Sequence, residues 1–223
     1  MRMEPSSSPS RPPPGALQPP LTQAVRDALT PDEIIARAKA GNERFRTGRR
    51  RHRDLLMELQ KTASGQWPAA VILGCIDSRA PAEIIFDLRL GDIFNCRVAG
   101  SVESPDVLGS IEFATRLSGA KLVIVLGHSA CGAVKGAISA VELGNLTQLL
   151  AKIRPAIEAT AAPGSRTADN PEFVDAVARR SVELTMQRIR GSSPAVAELE
   201  RAGTIKIVGC FYDVSTGGVE FLA

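Results

Sequence analysis

The chain has 223 residues, 44% hydrophobic and 23% charged, with a net charge of +3 and a mean hydropathy near zero. That size and balance fit one soluble globular domain with some excess, or at most two small ones. The small net charge does not demand a polyanionic partner such as nucleic acid, and no apolar run approaches the eighteen or more residues of a membrane span.

Residues 1–20, MRMEPSSSPSRPPPGALQPP, carry seven prolines and four serines. Such a stretch cannot bury enough apolar surface to offset its ordering entropy, so a disordered arm is expected, drawn over 1–25, with a single folded domain over 26–223. The arm also lacks the apolar core of a secretory signal, which makes the cytoplasm the expected location; a chain with its signal removed would look the same. Order is expected from a helix near residue 31: Thr30 can cap it, Pro31 suits its first turn, and Glu33 completes a capping box. The following run, RTGRRRHRD (46–54), is strongly basic but has no aromatic residues for base stacking. It reads as a solvated loop or helix face, with His52 exposed in it.

From residue 69 short apolar runs alternate with helical segments. Residues 69–74, 92–98, 121–127 and 204–214 read as strands that are continuously apolar rather than alternating, as in a parallel sheet covered on both faces. Residues 81–88, 106–119, 131–144 and 170–191 read as helices, the last capped by Asn170 and closed by Gly191. After Thr216 and two glycines, VEFLA turns back as an antiparallel edge strand. The expected fold is a three-layer α/β domain with a mostly parallel sheet of about four strands, an antiparallel edge strand, and helices on both faces.

In such a fold the strands' carboxyl ends carry the site, and two motifs fall there. VILGCIDSR (71–79) leaves the first strand with Cys75, Asp77 and Arg79, and VIVLGHSACG (124–132) leaves the third with His128 and Cys131. Two thiolates and one imidazole suit Zn2+, and three protein ligands are the number that catalytic zinc uses. Cys96 and Cys210 lie inside apolar strand runs without a ligand-like motif. Four such scattered cysteines suit metal binding or burial rather than a disulfide scaffold. The fourth zinc position should go to water or to Asp77, which Arg79 keeps ionised. The competing reading is a structural Asp–Arg pair with the cysteines buried as small hydrophobes.

The paired motifs, CIDSR and GHSACGAVKG, resemble those of the β-class carbonic anhydrases, over a span from about residue 30 to the C-terminus. The resemblance implies one zinc per subunit on Cys75, His128 and Cys131, with Asp77 and Arg79 as catalytic dyad. It also implies that Gln66 holds substrate and that Phe94 and Phe113 line a CO2 pocket completed by a neighbouring subunit. The reaction implied is zinc-dependent, reversible hydration of CO2 to bicarbonate and a proton by zinc-bound hydroxide, with Gln66 and the Gly132 backbone N–H stabilising the oxygen that gains charge. A homodimer or higher assembly such as a tetramer is the implied state.

Two other readings use the same residues: hydrolysis of CS2 or COS at the zinc, and a non-catalytic zinc protein that binds partners through its arm and basic run. The sequence departs from the family pattern at Ile76, where Ser or Ala is common, and in RVAGS (97–101), where Val98 and Ser101 replace asparagines. Family members with a bicarbonate-inhibition site resemble one another in a Trp–Arg–Tyr trio. Here Arg97 and Tyr212 match it but Ile72 replaces the tryptophan. The expectation is an open site, with Asp77 on Arg79 rather than serving as fourth ligand, and no such switch.

Overall fold

The structure, a computed structural model, describes residues 19–161 and 164–222. Strands β1 (Ala70–Gly74), β2 (Ile93–Arg97), β3 (Leu122–His128) and β4 (Lys206–Tyr212) run parallel, and β5 (Val219–Leu222) pairs antiparallel with β4. The sheet order is β2-β1-β3-β4-β5, so the expected strands, their directions and the antiparallel edge all appear. The chain leaves β1 toward one side for β2 and then crosses to the other side for β3. The order therefore reverses between β1 and β3, and an open α/β sheet leaves a crevice at the carboxyl ends of such a pair. Those two strands carry Cys75 and His128.

Continuous apolar sequence follows from this position. Every residue of β1 and β3 is buried, whereas β2 at the sheet edge is only half-buried. Alternate side chains go to opposite faces. Ile72 and Ile124 pack with Ile34 and Ala38 of α2 (Pro31–Arg46) and with Phe86, just beyond the short α4 (Ala82–Ile85). Val71, Val123 and Val125 pack on the other face against Ile111 of α5 (Pro105–Glu112) and against Val182, Met186 and Ile189 of α9 (Pro171–Ser192). α9 comes close because β3 and β4 offer glycines to it. A Cβ on Gly127 or Gly209 would sit 2.6 or 2.8 Å from Val182.

The N-terminal capping signals hold in detail. Thr30 and Glu33 form the capping box at α2, and Asn170 accepts from the amides of Glu172 and Phe173 at α9. Several boundaries differ from expectation. α1 (Gln23–Ala28) starts inside the stretch assigned to the arm, and Leu21 is buried against the core, so regular structure begins before residue 26; residues 1–18, on which the rest of the expected arm falls, lie outside the described residues. Gly191 is not a terminal cap: α9 runs on to Ser192, and Ser193 both ends it and caps α10 (Pro194–Arg201). Residues 131–144 are not one helix. α6 (Gly132–Ile138) stops, the chain turns through Ala140 at φ 51°, and α7 (Gly144–Ala151) follows. The helix expected to 119 widens after α5 into a turn in which the Ser118 amide reaches back to the Phe113 carbonyl. Helices α3 (Leu55–Thr62) and α8 (Arg154–Ala159) are too short to show a decisive period.

The basic run is also more than a solvated face. Arg53 turns inward to pair with the buried carboxylate of Glu58, and the Arg51 amide donates to Asp87 at 3.3 Å. Arg44 holds the same Asp87, whose side chain is fully buried, at 2.6 Å. His52 is exposed.

α2 meets the segment after α4 through Gly41, where a Cβ would stand 1.8 Å from the Phe86 carbonyl oxygen. Backbone cannot move aside as a flexible side chain can. Gly41→Ala is therefore expected to lower stability by about 3 kcal/mol, seen as a lower urea midpoint at unchanged slope. A midpoint equal to that of the parent chain would show that α2 shifts freely against the sheet.

Candidate metal centre and active site

Cys75 leaves β1, His128 ends β3, and Cys131 caps α6. The switch point brings them together: their sulfur and nitrogen atoms all lie within 4.8 Å of one another, and all three residues are buried. The short spacing between His128 and Cys131 works because the chain reverses at Ala130, which adopts a left-handed φ of 54°. That conformation is unfavourable for alanine. It is held by the Ala130 amide donating to Asp175 of α9 at 2.9 Å.

His128 Nδ1 lies 2.9 Å from the Ser129 carbonyl. A carbonyl can only accept, so Nδ1 carries the hydrogen and Nε2 presents its lone pair to the cluster. Nε2 is buried and has no hydrogen-bond partner among the described residues, a costly arrangement that a cation between the three residues would satisfy. The two thiols are coupled. Hydrogen bonding with Cys131 draws the Cys75 thiol below its ordinary value despite its burial, helped by the amides of Asp77 and Gly100. The same contact, with burial, pushes Cys131 up. Two adjacent thiolates repel, and a dication bound by both relieves that repulsion. The donor set thus fits a soft or borderline divalent metal.

Asp77 stands beside the cluster, its Oδ2 4.0 Å from His128 Nε2. Arg79 grips it with both ends of the fork, at 3.0 and 2.8 Å, and the Arg79 amide adds a third bond at 2.9 Å. These bonds hold the Asp77 carboxyl well below the usual carboxylate range. Arg97, at the end of β2, donates to the carbonyl oxygens of Cys75 and Asp77 and so braces the turn that carries both. Its guanidinium is engaged there, Tyr212 is buried at the end of β4, and Ile72 is buried in the core below.

Of the remaining expected residues, Gly132 adjoins the cluster and the others lie elsewhere. Gly132 opens α6 directly after Cys131 and is exposed. Phe94 of β2 and Phe113 beyond α5 contact each other edge to face at 6.0 Å, along a shallow cleft on the sheet edge. Gln66 is exposed in the loop before β1. The five residues of β1 span about 16 Å, so Gln66 lies toward the opposite end of the strand from Cys75. Three contributors have no local motif: Arg97 as a brace, Asp175 on Ala130, and the Gly100 amide, which donates to Cys75 Sγ at 3.4 Å. Only Gly100, in left-handed backbone at φ 73°, leaves a trace in sequence.

A sheet with a switch-point cluster of two cysteines and one histidine, flanked by an Asp–Arg pair, defines a candidate metalloenzyme. Residues 70–219 match the carbonic anhydrase family model. The chain is 41% identical over 183 residues to carbonic anhydrase 2 of Mycobacterium tuberculosis, covering 80% of this chain and 86% of that one. It is 37% identical over 188 residues to the carbonic anhydrase of Mycolicibacterium smegmatis, covering 82% and 88%. Among solved structures it resembles a tetrameric β-carbonic anhydrase from Sordaria macrospora, with TM-score 0.66 and 25% identity over 86% of this chain and 95% of that one. It also resembles the β-carbonic anhydrase CafA of Aspergillus fumigatus, with TM-score 0.65 and 27% identity over 86% and 89%. The chain belongs to the β-class carbonic anhydrase family.

Proposed function

We propose that this protein is a zinc enzyme that reversibly hydrates CO2 to bicarbonate and a proton, with Cys75, His128 and Cys131 holding the metal. The observation that carries the reading is the buried three-donor cluster with an ionised carboxylate 4.0 Å from its imidazole nitrogen. Zinc held there would supply Lewis acidity, enough to make water ionisable near pH 7. The chain's own residues do the rest. Asp77, kept charged by Arg79, accepts a hydrogen bond from the reacting water and fixes its direction. Arg97 keeps the turn bearing Asp77 in place. The Gly132 amide, a first-turn donor that α6 does not use, can support the oxygen that gains charge. Four unpaired cysteines suit a reducing compartment, and we place the enzyme in the cytoplasm.

The same site would admit COS or CS2, since both are linear and uncharged. Turnover of the three substrates by one zinc-loaded sample tests the assignment. CO2 should be processed fastest, and preferred hydrolysis of CS2 or COS would replace the reading.

We further place the enzyme in a homodimer or higher assembly. Gln66 lies away from its own cluster, so a glutamine that holds substrate must come from a second copy, as must whatever completes the cleft beside Phe94 and Phe113. Gln66→Ala should keep its zinc yet lose about 10–100-fold in kcat/KM, the worth of a hydrogen bond to a charged group. Sedimentation at micromolar concentration should show no active monomer. A folded, fully active monomer would contradict the assignment of Gln66.

A further inference from the structure

On the α2 face of the sheet lies a cavity of about 330 Å3 that the metal chemistry does not use. Its floor is apolar and buried: Ile72 and Ile124 from β1 and β3, Ile34 and Ala38 from α2, and Phe86. Its rim is basic, with Arg37, Arg44, Arg51 and Arg89, and Asp92 is the one lining acid among the described residues. It is distinct from the metal centre, which lies at the carboxyl ends of the same strands and shares none of these lining residues.

The four arginines are not equivalent. Arg44 is occupied by Asp87 at 2.6 Å, and Arg89 by Asp92 at 2.9 Å. The Arg37 and Arg51 guanidinium groups make no hydrogen bond or ion pair among the described residues, although both stand at the rim and are exposed. Although Arg51 as a whole is exposed, partial desolvation of its guanidinium, together with the charges of Arg44 and Arg89, pushes that group below its ordinary value despite Asp87 and Asp92. The rim thus carries cationic groups in excess of their partners, above a floor that water hydrates poorly.

From this pairing of an apolar floor with an unneutralised arginine rim, we propose that the cavity binds a single-chain amphipathic anion, a medium-chain carboxylate. Its alkyl tail lies on Ile34, Ala38, Ile72, Phe86 and Ile124, and its carboxylate is held in the fork of Arg51 with Arg37 alongside. The volume falls at the lower end of small-ligand sites, which favours one unbranched chain over a ring system. A carboxylate between two guanidinium groups receives charge-assisted, bidentate hydrogen bonds.

Calorimetric titration of the full-length, zinc-loaded protein tests this with hexanoate, octanoate, decanoate and decanol. Saturable binding is expected, each added pair of methylenes tightening it by about tenfold. Decanol should bind more weakly than decanoate. Arg51→Gln keeps the Arg51 backbone bond to Asp87 and lies outside the metal centre. It should weaken decanoate by about tenfold or more and leave CO2 hydration without added carboxylate unchanged. Absence of saturable decanoate binding, equal binding of decanol and decanoate, or equal affinity in folded Arg51→Gln would each overturn the proposal, whatever then fills the cavity.

Discussion

Cys75→Ser and Cys131→Ser should each lose their zinc and at least about 100-fold in CO2 hydration. Even partners that only orient a ligand cost 10–100-fold when removed, so a ligand itself should cost no less. Serine keeps the size but cannot ionise near neutral pH, and its hydroxyl is a poor partner for a borderline-soft ion. His128→Ala should behave alike, because it removes the one nitrogen donor of the cluster. Cys96→Ser and Cys210→Ser are the controls. Burial pushes both of those thiols up, away from the ionised form a metal needs, and they should keep their metal at a packing cost of about 1 kcal/mol. Metal analysis of the purified variants reads the outcome. Full zinc stoichiometry in folded Cys75→Ser or Cys131→Ser would remove that residue from the ligand set.

The dyad should separate metal binding from chemistry. Asp77→Asn preserves shape but exchanges an acceptor-only carboxylate for an amide, and should keep full zinc while losing about 10²–10³-fold in kcat/KM. Arg79→Gln tests the same residue through its charge. The first cause of the depressed Asp77 pKa is the Arg79 side-chain hydrogen bond, so removing it should raise Asp77 toward the usual carboxylate value. Loss of activity on acidification should then begin at higher pH in Arg79→Gln than in the parent chain. The sign for stability follows from the same depression. The pair's contribution is fully present above the unfolded carboxylate value of about 4 and disappears as pH falls through the lower folded value. An Asp77→Asn enzyme with parental kcat/KM would make the pair a support for the turn and nothing more.

Which parts of this were readable beforehand follows from the range of the interactions. Strands β1 and β3 were legible because burial on both faces demands unbroken apolar runs, and the α2 cap because Thr30, Pro31 and Glu33 act within one turn. The three metal-cluster residues were legible because Cys75 and His128 sit where strands end, Cys131 follows three residues on at the start of α6, and strand ends in a parallel sheet share one edge. Contacts made across the fold left no local pattern. Asp175 supports Ala130 from a distant helix, Arg97 braces carbonyls contributed by another strand, and Arg53 folds onto Glu58 inside a run whose composition reads as solvated. The break between α6 and α7 escaped for a different reason. Ala140 takes left-handed backbone that alanine does not advertise, whereas Gly144 was visible but marked the start of a helix rather than its end. Gln66 shows the limit from the other side: the role proposed for it rests on resemblance, and its exposed place before β1 calls for the proposed second copy.

The most direct measurement is stopped-flow CO2 hydration by the full-length protein at pH 7.5, with zinc counted in the same sample. The account predicts one zinc per chain and proton release that scales with zinc content across partially loaded preparations. A folded, fully zinc-loaded sample that hydrates CO2 no faster than buffer alone would contradict it.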